Sequence, residues 1–470
     1  LQRWLSSLLN PGAWKRRLER VLGVLGMNFK LTEIGELPFE WEVDTMENAL
    51  NEIIDYRGKT PVKSETGIVT LSAKSVKNGY IDYSKAYFIS EMTYQKFMVR
   101  GFPRKGDILL TTEAPLGLVA RLDREKVGIA QRLLTLRGKK EYLLNDYLMY
   151  YLMSNEGKHQ LTSRQSGTTV TGIKQKEFRK CLISIPPFEE QKAIAHLLST
   201  IDEKIEVNNQ INKILENIAQ EIFKKWFVDF EFPNEEGEPY KSNGGEMVES
   251  EQGMIPKGWD VISLDKIVDV KSGYSYRGTD LSESNNAMVT IKNFDRNGGY
   301  KIDGLKEIII SERVKDHHYI ETNDVVVAHT DLTQGAEIIG NPVMVLSKGK
   351  YNKLIMSMDV VKVTPKDRDI DNAFVYCLLK TDKFKQYALG YVNGTTVLHL
   401  SKKAIPQYKL PFPTNIKICK ELSGLLKNIM MRVSLSVYEN DNLNLTRDTL
   451  IPKLMSGEIR VPLDEEGDAS

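Results

Sequence analysis

The chain has 470 residues, with 64 Lys and Arg against 63 Asp and Glu, and 41% of it is hydrophobic. That length exceeds a single core and implies two or three domains. No apolar run approaches the roughly 18 residues a membrane helix needs. The three cysteines, Cys181, Cys377 and Cys419, are far apart and form no CxxC pair. This argues against a zinc ribbon and suits a reducing cytosol.

In chain order, residues 1–26 carry a basic cluster, Lys15 to Arg17 with Arg20, ahead of Met27. Asn10-Pro11-Gly12 interrupts their apolar run and no small-residue cleavage site follows. A secretory signal is therefore disfavoured, and the segment is set aside as upstream sequence. Short β-branched or apolar runs come next, IVTLSA from Ile68, DILLTT from Asp107 and RLLTLR from Arg132, and read as strands. LLNDYLMYYLMS from Leu143 reads as helix.

After Pro187 a long helix is expected, with Glu189 and Glu190 in its first turn, where the helix dipole favours carboxylates. Ile194, Leu198, Ile201, Ile205, Asn208, Ile211, Leu215, Ile218 and Ile222 recur at spacings of three and four, a coiled-coil seam running to about residue 228. Strand-like MVTI from Met288, DVVVAH from Asp324 and DVVKVT from Asp359 follow, then helix-like AFVYCLLKTDKF from Ala373. A second long helix, for which Thr414 can serve as cap, repeats the seam less cleanly through Leu422, Leu425, Ile429, Val433, Val437, Asn440, Leu443 and Leu450. Asn208 and Asn440 either set register inside the pair or face water at a helix edge.

The chain repeats itself. Leu37-Pro38 with Trp41 returns as Ile255-Pro256 with Trp259, and GDILLTT from Gly106 returns as NDVVVAHT from Asn323. Ser166-Gly-Thr-Thr-Val returns as Asn393-Gly-Thr-Thr-Val, and ISIPP ending at Pro187 as KLPFP ending at Pro413. The order is kept at an offset near 220 residues, which marks a tandem duplication. Charge is sorted as well: residues 37–187 hold 23 Lys/Arg and 17 Asp/Glu, a net of +6, and residues 255–413 hold 22 and 19, a net of +3. Residues 229–253 hold eight acidic residues and Lys241, a net of −7. Two basic bodies with an acidic connector fit a polyanion partner.

Leu37-Pro38 with Trp41, GDILLTT, SGTTVTGI, ISIPPFEEQKAIAHLLSTIDEKI, IFKKWFVDFE from Ile222 and LIPKLMSGEIRV from Leu450 together resemble the specificity subunit of Type I restriction-modification systems. One departure is the second helix, which opens PTNIKICKEL in place of the PPFEEQ form. The resemblance implies an α+β protein in which a mixed α/β target-recognition domain is duplicated, each copy followed by a long helix. The two helices pair as an antiparallel coiled coil. Target-recognition domains are expected at residues 27–188 and 255–413, long helices at 189–230 and 414–462, and an acidic linker at 231–254. It further implies a cytoplasmic subunit that reads a bipartite, asymmetric site in double-stranded DNA and docks two methyltransferase subunits. Two motor-nuclease subunits can join them. The chain itself needs no cofactor, and S-adenosylmethionine belongs to the methyltransferase partner.

The absent motifs agree with a non-catalytic role: the sequence has no Walker A loop, no Asn/Asp-Pro-Pro-aromatic run and no HExxH. The competing reading is a stand-alone bipartite DNA-binding regulator without enzyme partners.

Phosphate contacts need Lys, Arg, hydroxyls or backbone amides, and base reading needs forked or amide side chains in a groove. In the first copy the candidates are Arg57 and Lys59 in YRGKTP, Lys74, Lys77 and Tyr80, and Arg164, Thr168, Thr169 and Lys174 around the Gly-Thr-Thr loop. In the second they are Tyr274, Tyr276, Arg277, Lys292, Asn293, Thr395, Thr396, Lys402 and Lys403, with His329 and Gln334 after the DVVVAH strand. For a single lysine, a solvated surface charge is as good a reading as a contact.

Overall fold

A computed structural model describes residues 28–56, 60–167, 171–296, 298–333 and 335–462. The upstream segment 1–26 lies outside the described residues. The chain divides into two units: residues through Lys204 with those from Leu443 onward, and Ile205–Asn442.

In the first unit, β1 (Phe29–Thr32) and β2 (Gly35–Pro38) form a hairpin, turning at Gly35, whose φ of 107° suits only glycine. β3 (Glu42–Thr45) pairs antiparallel with β11 (Leu182–Ile185), and Trp41 before it is wholly buried. The core sheet runs β4 (Leu50–Asp55), β10 (Leu133–Gly138), β7 (Ile108–Thr111), β8 (Val119–Arg121). β7 is buried along its whole length, as a central apolar run should be. A second sheet runs β6 (Tyr87–Ile89), β5 (Ile68–Leu71), β9 (Gly128–Ile129), with β5 and β9 parallel. Helices α1 (Asn145–Met153) and α2 (Asn155–Thr162) follow, α1 burying seven consecutive side chains from Tyr147 to Met153.

The second unit repeats this order. β12 (Met247–Ser250) and β13 (Gly253–Pro256) make a hairpin like β1–β2, so the stretch expected as an acidic linker holds paired strands. β14 (Trp259–Ser263) pairs with β26 (Lys409–Pro413) as β3 does with β11. Its core sheet runs β15 (Val268–Ser272), β23 (Val360–Pro365), β19 (Val325–Ala328), β21 (Pro342–Met344). Beside it, β16 (Asn286–Val289) and β22 (Lys353–Met356) are parallel, matching β5 and β9. Asn372–Leu379 takes the place of α1.

The duplication reaches single hydrogen bonds. Gly106 and Asn323 both take positive φ, 91° and 72°, before β7 and β19. Glycine and asparagine tolerate that region best, which explains the GDILLTT and NDVVVAHT openings. Asn145 Nδ2 donates to the Gly106 carbonyl at 2.7 Å, and Asn372 Nδ2 to the Asn323 carbonyl at 3.0 Å. Asp107 receives the Arg104 amide and Asp324 the Glu321 amide, each at 2.8 Å.

The long helices are α3 (Phe188–Phe227) and α4 (Lys417–Met455). They pair antiparallel. Within the first unit, Glu190 meets Arg460 and Asp202 meets Arg447 at 2.7 Å. Within the second, Asn208 Nδ2 donates to Asn440 Oδ1 at 2.8 Å. Both asparagines are buried, so they register the pair and do not face water.

The seam departs from expectation on one side of this layer, after Asn208 on the first helix and before Asn440 on the second. Ile211, Ile218 and Leu425 are exposed, while Asn212, Ala219, Phe223, Leu426 and Met430 are buried. A straight helix turns its face by about 20° per heptad, and Phe223 and Phe227 are drawn into the second unit's aromatic core. The cap differs too. Asn415 Oδ1 accepts the Lys417 amide at 3.0 Å, whereas the Thr414 hydroxyl donates to the Gly258 carbonyl at 2.7 Å. The helix begins at Lys417, and it is the Asn415 side chain that takes its first amide.

Candidate nucleic-acid interface

In each unit a two-residue turn joins the strand of the small sheet to the centre of the core sheet. It is Gln131-Arg132 between β9 and β10, and Met358-Asp359 between β22 and β23. Matched backbone bonds hold both ends. Ala130 N donates to the Leu71 carbonyl at 2.8 Å, and Ser357 N to the Val289 carbonyl at 2.9 Å. Thr112 N donates to the Arg132 carbonyl at 3.0 Å, and His329 N to the Asp359 carbonyl at 2.8 Å. A third segment closes each frame: Ile173 N reaches the Thr112 carbonyl and Leu400 N the His329 carbonyl, both at 2.9 Å. Three chain segments thus converge at the end of the buried central strand, and the Gly-Thr-Thr loop leads into the third.

In the first unit this convergence forms an open concavity of about 510 Å³, lined by Thr112, Glu113, Gln131, Arg132, Ser166, Gly167, Gly172, Ile173 and Lys174. Arg132 Nε pairs with Glu113 Oε1 at 2.7 Å, both side chains partly exposed. The wall is polar and carries two cations, Arg132 and Lys174, which is the chemistry a phosphate-flanked base edge needs.

Of the residues expected here, Lys174 lines the concavity, and Arg164 stands half-buried at the end of α2. Arg57, Lys59, Thr168, Thr169 and Gln334 lie outside the described residues. Lys74, Lys77 and Tyr80 occupy the turns after β5, where Gly79 N donates to the Val119 carbonyl at 2.8 Å. They do not line the concavity. Thr112, Glu113, Gln131 and Arg132 were not among the expected residues. The apolar run RLLTLR places Arg132 at the head of a strand that begins instead at Leu133. The signal was available in the repeat, because RLLTLR and DVVKVT align Arg132 with Asp359.

In the second unit, Arg277, Lys292, Thr395, Thr396, Lys402 and Lys403 are exposed, and Tyr276 is half-buried under Lys306. Two expected contacts are structural instead. Tyr274 is 4% exposed, and its hydroxyl is used by Ser311 at 2.8 Å and Arg313 at 2.7 Å. Asn293 is fully buried; its amide oxygen accepts the Thr290 amide at 2.8 Å and its nitrogen donates to the Lys301 carbonyl at 2.7 Å. Both are closing a turn or a cluster from the inside, so neither can reach a groove.

His329 occupies the place of Thr112. Burial, then Lys402 and His399, push its imidazole below the usual histidine range. The following loop is pinned from within: Asp331 accepts the amides of Thr333 at 2.8 Å and Ile338 at 2.9 Å, and Lys385 Nζ donates to the Ile339 carbonyl at 2.7 Å. Among the described residues no His/Cys/Asp/Glu group could hold a metal ion, and no helix is long and apolar enough to cross a membrane.

Two copies of one polar frame, each ending a buried strand, define a duplicated recognition protein. Residues 40–217 and 256–432 each match the model of the Type I restriction modification DNA specificity domain, and the chain belongs to that family. It is similar to the Type I restriction enzyme MjaIX specificity subunit of Methanocaldococcus jannaschii, 28% identical over 447 residues, covering 92% of this chain and 96% of the relative. The MjaVIII specificity subunit of the same organism is 24% identical over 442 residues, covering 92% and 96%. Among solved structures, a Type I restriction-modification S subunit from M. genitalium is 18% identical with a TM-score of 0.49, covering 88% of this chain and 96% of that one.

Proposed function

We propose that this chain is the DNA-reading subunit of a Type I restriction-modification complex, non-catalytic and specific for a bipartite, asymmetric target. The observation that carries the reading is the repeated frame. Two backbones matched bond for bond present different side chains, Thr112 and Gln131-Arg132 against His329 and Met358-Asp359. One fold used twice with different contacts suits a target of two unlike halves. Family membership and relatives named as specificity subunits along nearly the whole chain support it.

The target-recognition domains are residues 27–188 and 255–413, with the long helices at 189–230 and 414–462. Lys174, Arg164, Arg277, Lys292, Thr395, Thr396, Lys402 and Lys403 supply contacts to the DNA backbone. The subunit works in the cytoplasm with two methyltransferase subunits, which use S-adenosylmethionine to modify adenine, and with two motor-nuclease subunits where the system restricts.

Replacing residues 37–187 with the corresponding domain of a relative tests this. Methylation mapping is expected to show one half of the motif changed and the other intact. Change in both halves, or methyl transfer by the purified chain alone, would overturn the assignment.

A further inference from the structure

We infer that the paired turns Gln131-Arg132 and Met358-Asp359 are the specificity-determining positions of the two domains, the first reading purine edges and the second pyrimidine edges in the major groove. The inference rests on the DNA-reading function proposed above and assigns its discriminating residues.

Placement comes first. Each turn interrupts a run of buried residues. Ile129 and Leu133 are fully buried around the half-buried Gln131 and exposed Arg132, and Met356 and Val360 around Met358, which is 52% exposed. An exposed methionine between buried strands has no packing duty, and apolar contact with a thymine methyl gives it one. The turns are also rigid, since matched backbone bonds fix both ends in each unit. Side chains on so fixed a frame can differ without moving it, as a pair of specificity positions requires.

Arg132 carries a second mark. Its φ is 72°, a left-handed conformation that glycine takes without strain and arginine does not. Retaining a long cationic side chain there is the pattern of a strained functional position. Glu113 pairs with the guanidinium, Nε lying 2.7 Å from its Oε1, and half of the arginine side chain stays exposed; a forked guanidinium is the donor that matches the O6 and N7 acceptors of guanine. Gln131 beside it has the paired donor and acceptor that match adenine.

The second turn offers the opposite chemistry. Asp359 can only accept, and is held by the Thr330 hydroxyl at 3.2 Å, so it suits the amino group of cytosine and cannot address guanine as Arg132 does. Glu113 acts through Arg132 and is a positioning residue.

Arg132→Gly is the informative variant, because glycine relieves the strain and keeps the turn folded. The complex reconstituted with a methyltransferase subunit and S-adenosylmethionine is offered its mapped target with each base pair substituted in turn. Wild type is expected to discriminate for guanine at one pair of one half-site by about tenfold to a hundredfold. Arg132→Gly should abolish discrimination at that pair alone, and Glu113→Gln should reduce it there. Asp359→Asn should relax one pair of the other half-site only.

If Arg132→Gly instead weakens every sequence equally and lowers the salt slope by about one, Arg132 holds a phosphate and the inference fails. If discrimination is lost at both halves or at neither, it fails as well. In each of those outcomes wild-type binding to the bipartite target leaves the proposed function standing. Absence of any sequence preference in the wild-type complex would sink that function itself.

Discussion

The two units keep a buried tryptophan at the same point of the repeat and hold it by different means. Trp41 in the first donates its indole N–H to Glu190 at 3.0 Å, and Glu190, itself only 2% exposed, is gripped by Arg460 at 2.7 Å. Trp259 in the second is packed by rings, with Phe227, Phe230 and Phe232 at centroid distances of 5.0, 5.5 and 5.4 Å. Duplication therefore conserved the shape of the site and let its chemistry diverge. A buried carboxylate depends on its partners, whereas an aromatic cluster loses contacts one at a time.

That contrast can be broken most sharply at its centres. Glu190→Ala leaves Arg460 without its main partner and the indole N–H without an acceptor, and should cost the first unit about 3–5 kcal/mol. Arg460→Ala should cost a similar amount, because it strands Glu190. Trp259→Ala should cost the second unit about 3–5 kcal/mol by opening a cavity. Phe230→Leu, which only thins the ring cluster, should cost about 1 kcal/mol. Hydrogen exchange resolved by unit measures each loss. A cost below about 1 kcal/mol for Glu190→Ala would show the clamp to be a surface pair in energetic terms.

A smaller version of the same divergence lies at the opening of the central strands. Asp107 is bound by Arg137 through two contacts of 2.7 Å each, and Asp324 by Lys362 through one of 3.3 Å. A forked guanidinium makes the stronger pair. Asp107→Asn should therefore cost about 2 kcal/mol and Asp324→Asn about 1 kcal/mol, read from denaturant midpoints. Equal costs would mean that the forked geometry adds nothing here.

What the sequence disclosed and withheld follows the same line. Features written as periodic or repeated patterns were legible: the two copies, the buried strands GDILLTT and NDVVVAHT, and the two long helices. Positions decided by tertiary competition were not. The seam beyond Asn208 rotates because Phe223 and Phe227 answer to the second unit's core, which no heptad count contains. Tyr274 and Asn293 look like contact residues in a polar stretch, but burial inside a cluster and a turn gives them other partners. Gln131 and Arg132 were hidden by their neighbours, since an apolar run read as a strand absorbs a two-residue turn that only the fold exposes.

The smallest expected effect separates the units by pH. His329 stands where the first unit has Thr112, which does not titrate over this range. In the folded chain burial, with Lys402 and His399, lowers the affinity of His329 for a proton. His318 is shifted in the same direction by burial, His317 and Lys315. The unfolded chain, with histidines near 6.5, then binds protons first as the solution is acidified. The stability linked to these groups is complete above about pH 6.5 and is lost as pH falls toward their folded values. Between pH 7.5 and 5.5 the second unit should show this added loss. His329→Gln should flatten its slope, and His318→Gln should flatten it further. The carboxylates of both units provide the common background. An unchanged slope in the double variant would show that neither imidazole is held neutral by the fold. A slope that reversed, with stability gained on acidification, would mean that an anionic partner, absent from the causes above, faces His329.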